Sequence, residues 1–294
     1  MDIKQYLKEK KDIVDNALKK YFLDSEEKPL RILKESMRYS LFAGGKRLRP
    51  ILCIAGAEAV GGSYEDVLPV ACGLEFIHTY SLIHDDLPVM DDDDMRRGKP
   101  TNHKVFGEAV ALLAGDGLLT DAFYIMTKAE KVDPKRLIRV IALIAEAAGS
   151  NGMVAGQVAD IESEGKNVDI SILEFIHTHK TAALIRASVT SGAILAGGKE
   201  DDIDAISNYG ANIGLAFQIA DDILNVIGDP KLLGKSVGSD EERHKITYPA
   251  IVGLEESKKI QQDLVKKAIS FLDRFDSKAD PLRDIARYII EREQ

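Results

Sequence analysis

Apolar residues recur every three or four positions along nearly the whole chain, and no run alternates with the period of two that marks a half-buried strand. The pattern predicts helices over residues 2–22, 29–42, 51–60, 66–87, 106–128, 134–148, 151–163, 171–195, 202–227, 247–271 and 280–292. Gly61-Gly62 and Gly197-Gly198 supply stops, and Asp133-Pro134 supplies a start. Only GDPKLLGKSVGSDEERHK is long and polar enough to be a loop, and loops of that length inside compact domains are often functional. No Pro- or Ser-rich linker separates two regimes of composition. The expectation is an all-α fold with residues 1–294 in one domain.

Composition narrows the possible partners. With 45% hydrophobic and 30% charged residues, the 294-residue chain can bury a sizeable core. A net charge of -9 argues against a nucleic-acid partner, because that binding needs a basic field to neutralise phosphates. Any anionic substrate has to be held by local cations instead. Cys53 and Cys72 lie in apolar surroundings without a CxxC or His/Cys cluster, which points away from disulfides and zinc and toward a reducing compartment. The first residues, MDIKQYLKEKKDIVDNALKKYF, place Leu7, Val14, Leu18 and Tyr21 at helical spacing in a charged segment, unlike a signal peptide. A cytoplasmic protein is expected. VALLAGDGLL is broken by Asp116 and LIRVIALIAEAA carries Arg139 and Glu146, so no membrane span is expected either.

Charge is distributed unevenly. SLIHDDLPVMDDDDMRRGKP puts six carboxylates between Asp85 and Asp94. Two ionised carboxylates about 4 Å apart repel by roughly 4 kcal/mol at an effective dielectric near 20, so water or a cation must relieve the cluster. It follows the apolar FIHTYSLIH, and Pro88 prevents regular helix continuation, so Asp91 should be presented from a turn. Carboxylates at a helix C-terminus already face a negative dipole, which favours a cation there. FQIADDILNVIGD repeats the arrangement with Asp221-Asp222, and Asn225 lies four residues beyond Asp221 on the same face. A single acidic run is more often a solvated surface. Two helix-borne pairs facing each other would instead make an oxygen-lined cavity of the kind Mg²⁺ occupies. Neither cluster has the spacing of a calcium loop.

Cations accompany these clusters. GGKRLRP places Lys46, Arg47 and Arg49 beside two glycines and before a helix, a plausible anion cradle. Arg96 and Arg97 follow the first acidic run, Lys235 and Lys245 sit in the polar stretch, and Lys180 lies within HTHKTAALI, where burial would need an anionic partner. His78 shares nearly the same helical face as Asp85; it and His84 are equally readable as structural histidines. No Ser/His/Asp or Cys/His arrangement stands out.

In order along the chain, GGKRLRP, HTYSLIHDDLPVMDDDDMRRGKPTNH, GQVADI, HKTAALI, FQIADDILNVIGD, GKSVGSD and KITYP closely resemble the trans-isoprenyl diphosphate synthases, and among them the bacterial farnesyl diphosphate synthase group. The resemblance implies an antiparallel helical bundle around a central cavity, a homodimer, and Mg²⁺-dependent coupling of isopentenyl diphosphate to an allylic diphosphate, with three ions when substrate is bound. It assigns Asp85, Asp91 and Asp221 to the metal, with Asp86 and Asp222 supporting. It assigns Lys46, Arg49, His78 and Arg97 to isopentenyl diphosphate, and Arg96, Lys180 and Lys235 to the allylic diphosphate, with Lys245 a further candidate. Thr181 and Gln218 would set dipoles near the forming cation. Where the family's second motif reads DDxxD, this chain has Asn225. Tyr80, five residues before Asp85, with Ser81 beside it, would set a fifteen-carbon product; the lesser reading of Tyr80 is core packing. Geranylgeranyl diphosphate synthesis, a class I terpene cyclase and a silent prenyl-diphosphate-binding subunit are the competing readings.

Overall fold

The computed structural model describes residues 2–22, 27–166, 168–227 and 246–291, and its fold is all-α. Helices α1 (Ile3–Tyr21), α2 (Lys28–Leu41), α3 (Leu48–Ala59) and α4 (Tyr64–Asp85) precede a hairpin of β1 (Met95–Arg96) and β2 (Lys99–Pro100). Then follow α5 (Asn102–Phe106), α6 (Glu108–Met126), α7 (Pro134–Ala148), α8 (Met153–Ser163) and α9 (Ile170–Ile176). A π-helical turn over His177–Ala182 joins α9 to α10 (Ala183–Leu195), and α11 (Glu200–Ile227), α12 (Tyr248–Val252), α13 (Leu254–Ser270) and α14 (Asp280–Glu291) complete the described chain.

Local chemistry accounts for the boundaries. The Asp133 carboxylate accepts from the N–H groups of Lys135 and Arg136 at 3.0 and 3.2 Å, and Pro134 opens α7 where its missing N–H costs nothing. Ser63 caps α4 in the same way, 3.3 Å from the N–H of Glu65. Gly61 and Gly197 take positive φ just past the ends of α3 and α10.

Helix α4 is buried on all sides through its middle, from Val70 to Ile77, as a helix that is apolar all round must be. It packs against α6 and α3, and α3 in turn lies against α10. That last contact depends on missing side chains: a Cβ on Gly192 would stand 1.8 Å from the carbonyl oxygen of Cys53, and one on Gly56 would stand 2.1 Å from that of Val189. Both cysteines are buried and unpaired.

Two findings qualify the sequence reading. The strand pair between α4 and α5 was not anticipated, because two residues per strand leave no alternating pattern; its turn, Arg97-Gly98, has positive φ at both positions, the geometry that twists with a hairpin. Also, the stretches 108–126 and 134–163 are long and apolar enough to cross a membrane by length and composition, although neither is an uninterrupted apolar run. The second of them is interrupted, with α7 ending at Ala148 and α8 beginning at Met153.

Gly192→Ala should force α3 and α10 apart and cost about 3 kcal/mol, at the upper end for overpacking a close helix contact. Urea unfolding of the two proteins measures this. An unchanged midpoint would show that the contact yields without cost.

Candidate active site

A cavity of about 780 Å³ lies among α3, α4, the hairpin, α8, the π turn and α11. Asp85 at the end of α4 and Asp221 near the end of α11 both line it, so the two acidic runs converge on one space. The Asp85 carboxyl is pushed up to about 6, first by burial and then by Asp91 and Asp86, while Lys180 and Arg96 pull it back. An oxygen-only pair on a cavity wall, with Asp85 half-buried and Asp221 exposed, suits a hard cation that keeps water and takes further oxygens from a substrate. Asp91 does not line the cavity wall, but its backbone N–H donates to the carbonyl of Asp85 at 2.8 Å, which folds the turn back onto the helix end.

The second aspartate of each pair faces elsewhere. Asp86 is buried and takes the Arg96 guanidinium on both oxygens, with Nε at 2.7 and 2.9 Å. Asp222 is buried and accepts from the N–H of Tyr248 at 2.9 Å, with the ring of His177 stacked on Tyr248 and its Nε2 3.6 Å from the carboxylate. Neither lines the cavity.

Lys46, Arg49, His78, Arg96 and Arg97 gather at the cavity. The Nε of Arg49 is buried without a hydrogen-bond partner, and burial draws its pKa down, with Glu75 and Asp221 opposing. A buried cationic donor with nothing to donate to marks a place for an anion. Burial and then the positive charges of Arg49, Arg97, Arg96 and Arg47 hold the His78 imidazole well below its ordinary value, so it is neutral at pH 7. Arg97 donates to the carbonyl of Gly44, and its guanidinium lies where a Cβ on Gly45 would be, at φ +123. Arg47 also reaches the cavity wall, but its guanidinium is committed elsewhere. Its side chain is buried and donates to Asp15 at 2.8 Å, Glu75 at 2.6 Å and the carbonyl of Leu41 at 2.8 Å, so it fastens the loop rather than joining an anion cradle.

On the other wall, the wide π turn presents Lys180 and Thr181 to the cavity. A Cβ on Gly156 would come 2.1 Å from the backbone nitrogen of Lys180, so α8 seats the turn directly. Lys180 pairs with Asp160 at 2.6 Å, and Thr181 donates to the Gln218 side-chain oxygen at 2.8 Å. Asp160 and Gln157, whose buried Nε2 lacks a partner, have no role in the reading of residues from sequence. Only their place in GQVADI signals them. Met153, Val154, Val158, Ile161 and Phe217 add apolar wall. Tyr80 and Ser81 line the same cavity. Tyr80 is 7% exposed, with its ring edge-on to His84, and His84 rests against Gly115 of α6. Asn225 is half-buried and does not line the cavity, and Lys235 and Lys245 lie outside the described residues.

The polyprenyl synthetase family matches residues 30–287. The chain belongs to the polyprenyl synthetase family. Geranylgeranyl diphosphate synthase of Cyanophora paradoxa is 50% identical over 289 residues, covering 98% of this chain and 95% of its own. Farnesyl diphosphate synthase of Geobacillus stearothermophilus is 51% identical over 256 residues, 86% of each chain. The crystal structure of geranylgeranyl pyrophosphate synthetase from Pyrococcus horikoshii matches this polyprenyl synthetase with a TM-score of 0.91 at 35% identity, covering 99% of both chains. The family's chemistry, and with it this chain's, is prenyl transfer in isoprenoid synthesis.

In metal-free protein, Asp85→Asn should raise the melting temperature near pH 8, because a buried charge is removed. The folded-state value of about 6 lies above the ordinary 3.8, so the penalty is complete above both values and vanishes below them. The gain should therefore fade as pH falls through 6 toward 4. An equal gain at both ends would show that charge burial at Asp85 is not its origin.

Proposed function

We propose that this prenyltransferase condenses isopentenyl diphosphate with dimethylallyl and then geranyl diphosphate, and releases farnesyl diphosphate. The convergence of two acidic motifs with two groups of cations on one apolar-walled cavity supports the coupling reaction. The all-oxygen donors Asp85 and Asp221, with Asp91 beside them, fit Mg²⁺, which when bound supplies positive charge to a departing diphosphate.

The rest of the reaction draws on the chain's own side chains. Lys46, Arg49, neutral His78 and Arg97 bind the isopentenyl diphosphate, while Arg96 and Lys180 hold the allylic one. Asp86 fixes the orientation of Arg96, and Asp160 that of Lys180. The allylic C–O bond breaks with both electrons leaving on the diphosphate; the alkene of isopentenyl diphosphate then attacks the allylic carbon, and a proton departs to the released diphosphate. Thr181 and Gln218 turn their dipoles toward the positive carbon. Phe217, Val158 and Ile161 keep water from quenching it. A homodimer in the cytoplasm completes the reading.

Tyr80 supports a fifteen-carbon product: it is buried, lines the cavity on the helix that ends in Asp85, and is backed by His84. Geranylgeranyl diphosphate is the second reading, favoured by relatives that carry that name. Incubation with Mg²⁺, labelled dimethylallyl or geranyl diphosphate and isopentenyl diphosphate, followed by chromatography, should give a fifteen-carbon product. A twenty-carbon main product would sink the farnesyl reading and leave the coupling reaction standing; the absence of any coupled product would sink both.

Tyr80→Ala should open the floor and shift product to twenty carbons or more. A folded, active variant with an unchanged product distribution would place the floor elsewhere.

A further inference from the structure

The acidic run after α4 is not exhausted by the cavity. Asp86 and Asp93 are drawn to Arg96, and Asp85 faces the cavity, but Asp92 and Asp94 are exposed on the outer side of the turn. One carboxylate oxygen from each, together with a ring nitrogen of His103, lies within 4.8 Å of the other two. His103 is only 6% exposed, and its Nε2 is buried with no hydrogen-bond partner. The Thr101 hydroxyl stands 3.3 Å from Nδ1, a contact that fixes the orientation of the ring. Among the described residues no cation pairs with Asp92, while Asp94 pairs with the half-exposed Lys104 at 2.7 Å.

We propose that Asp92, Asp94 and the His103 imidazole form a second divalent-metal site, separate from the Asp85–Asp221 cavity and selective for a borderline transition ion such as Zn²⁺. An imidazole among the donors disfavours Mg²⁺, which prefers oxygen, and favours Zn²⁺, which takes three protein ligands and leaves a position for water. Cysteine is not required, so the lack of a cysteine cluster in the sequence does not bear on it. The three donors come from the turn after α4 and from α5, so the ion would tie together the two ends of the segment that carries Arg96 and Arg97, beside Asp91. Lys104 would have to swing from Asp94 to admit it, which limits affinity to ions that outcompete an ammonium.

The test is calorimetric titration of the whole chain with Zn²⁺ in excess Mg²⁺, paired with thermal melts, and it needs no turnover. The expected result is one Zn²⁺ bound and a raised melting temperature in the wild type and in Asp85→Asn. His103→Gln and Asp94→Asn should each weaken Zn²⁺ at least tenfold and remove the thermal shift. Because His103 is buried and its variant can fail to fold, the exposed Asp94→Asn decides the matter in that case. No Zn²⁺ bound by the wild type, undiminished binding in Asp94→Asn, or loss of the ion in Asp85→Asn would each overturn the proposal.

Discussion

An ionised carboxylate buried at the C-terminal end of an apolar helix is the constraint around which this fold is arranged. Desolvation, the negative end of the helix and neighbouring aspartates all act against charge on Asp85, and its carboxyl accordingly rises to about 6. Charge on a group in that situation costs stability, and a cation that reaches it relieves the cost. Asp221, late in α11, approaches the same cavity under the same dipole. The bundle holds the two helix ends together because α4 is buried all round and α11 is clamped between α10 and α13. Stability and metal affinity are thus opposed at this point, which is the usual position of an active site.

Charge is divided into what fastens the frame and what faces the cavity. Arg47 spends its guanidinium on Asp15, Glu75 and a carbonyl, and Asp222 holds the start of α12. Such contacts fix the loop that leads into α3, which carries Arg49, and the packing of α12 against α11, which carries Asp221. Asp86 belongs to both groups. It is buried, but the Arg96 it grips is itself presented to the cavity, so the acidic motif orients a cation as well as supplying an anion. A neutral His78 among arginines follows the same logic, since an imidazolium would add repulsion where a donor is enough.

Helices were legible because burial imposes the three-four period on most of the chain, and the ends were legible wherever Pro, Gly or Asp marked them. What escaped depended on contacts distant in sequence or on backbone geometry with no side-chain signature. The π turn over His177–Ala182 looks like any apolar-polar helical stretch, yet it decides how Lys180 and Thr181 meet the cavity. Single-turn π bulges cluster at functional sites because widening the ring re-aims the side chains on it. Asp160 could not be picked out as the partner of Lys180 without the approach of α8 through Gly156. Asp86 and Asp222 illustrate the limit most sharply. Within each DD pair the residues are chemically identical, and only the helix phase decides which one sees the cavity.

Placing the anchoring carboxylate and the cavity floor on one helix has a mechanical consequence. Tyr80 and Asp85 are five residues apart, about 7.5 Å of rise along a single rigid element. If α4 is the wall along which a prenyl chain extends, that distance cannot change without breaking helix hydrogen bonds, so hinge motion cannot adjust it. Length control would then reside in side-chain volume at Tyr80 and in what stands behind it. His84 stands there, held 2.9 Å from the carbonyl of Leu112 and pressed onto Gly115, which ties the floor to α6 rather than to the mobile chemistry of the substrate. Under the farnesyl reading, a floor braced by a second helix would resist being pushed open by the growing chain, as a sharp product limit requires.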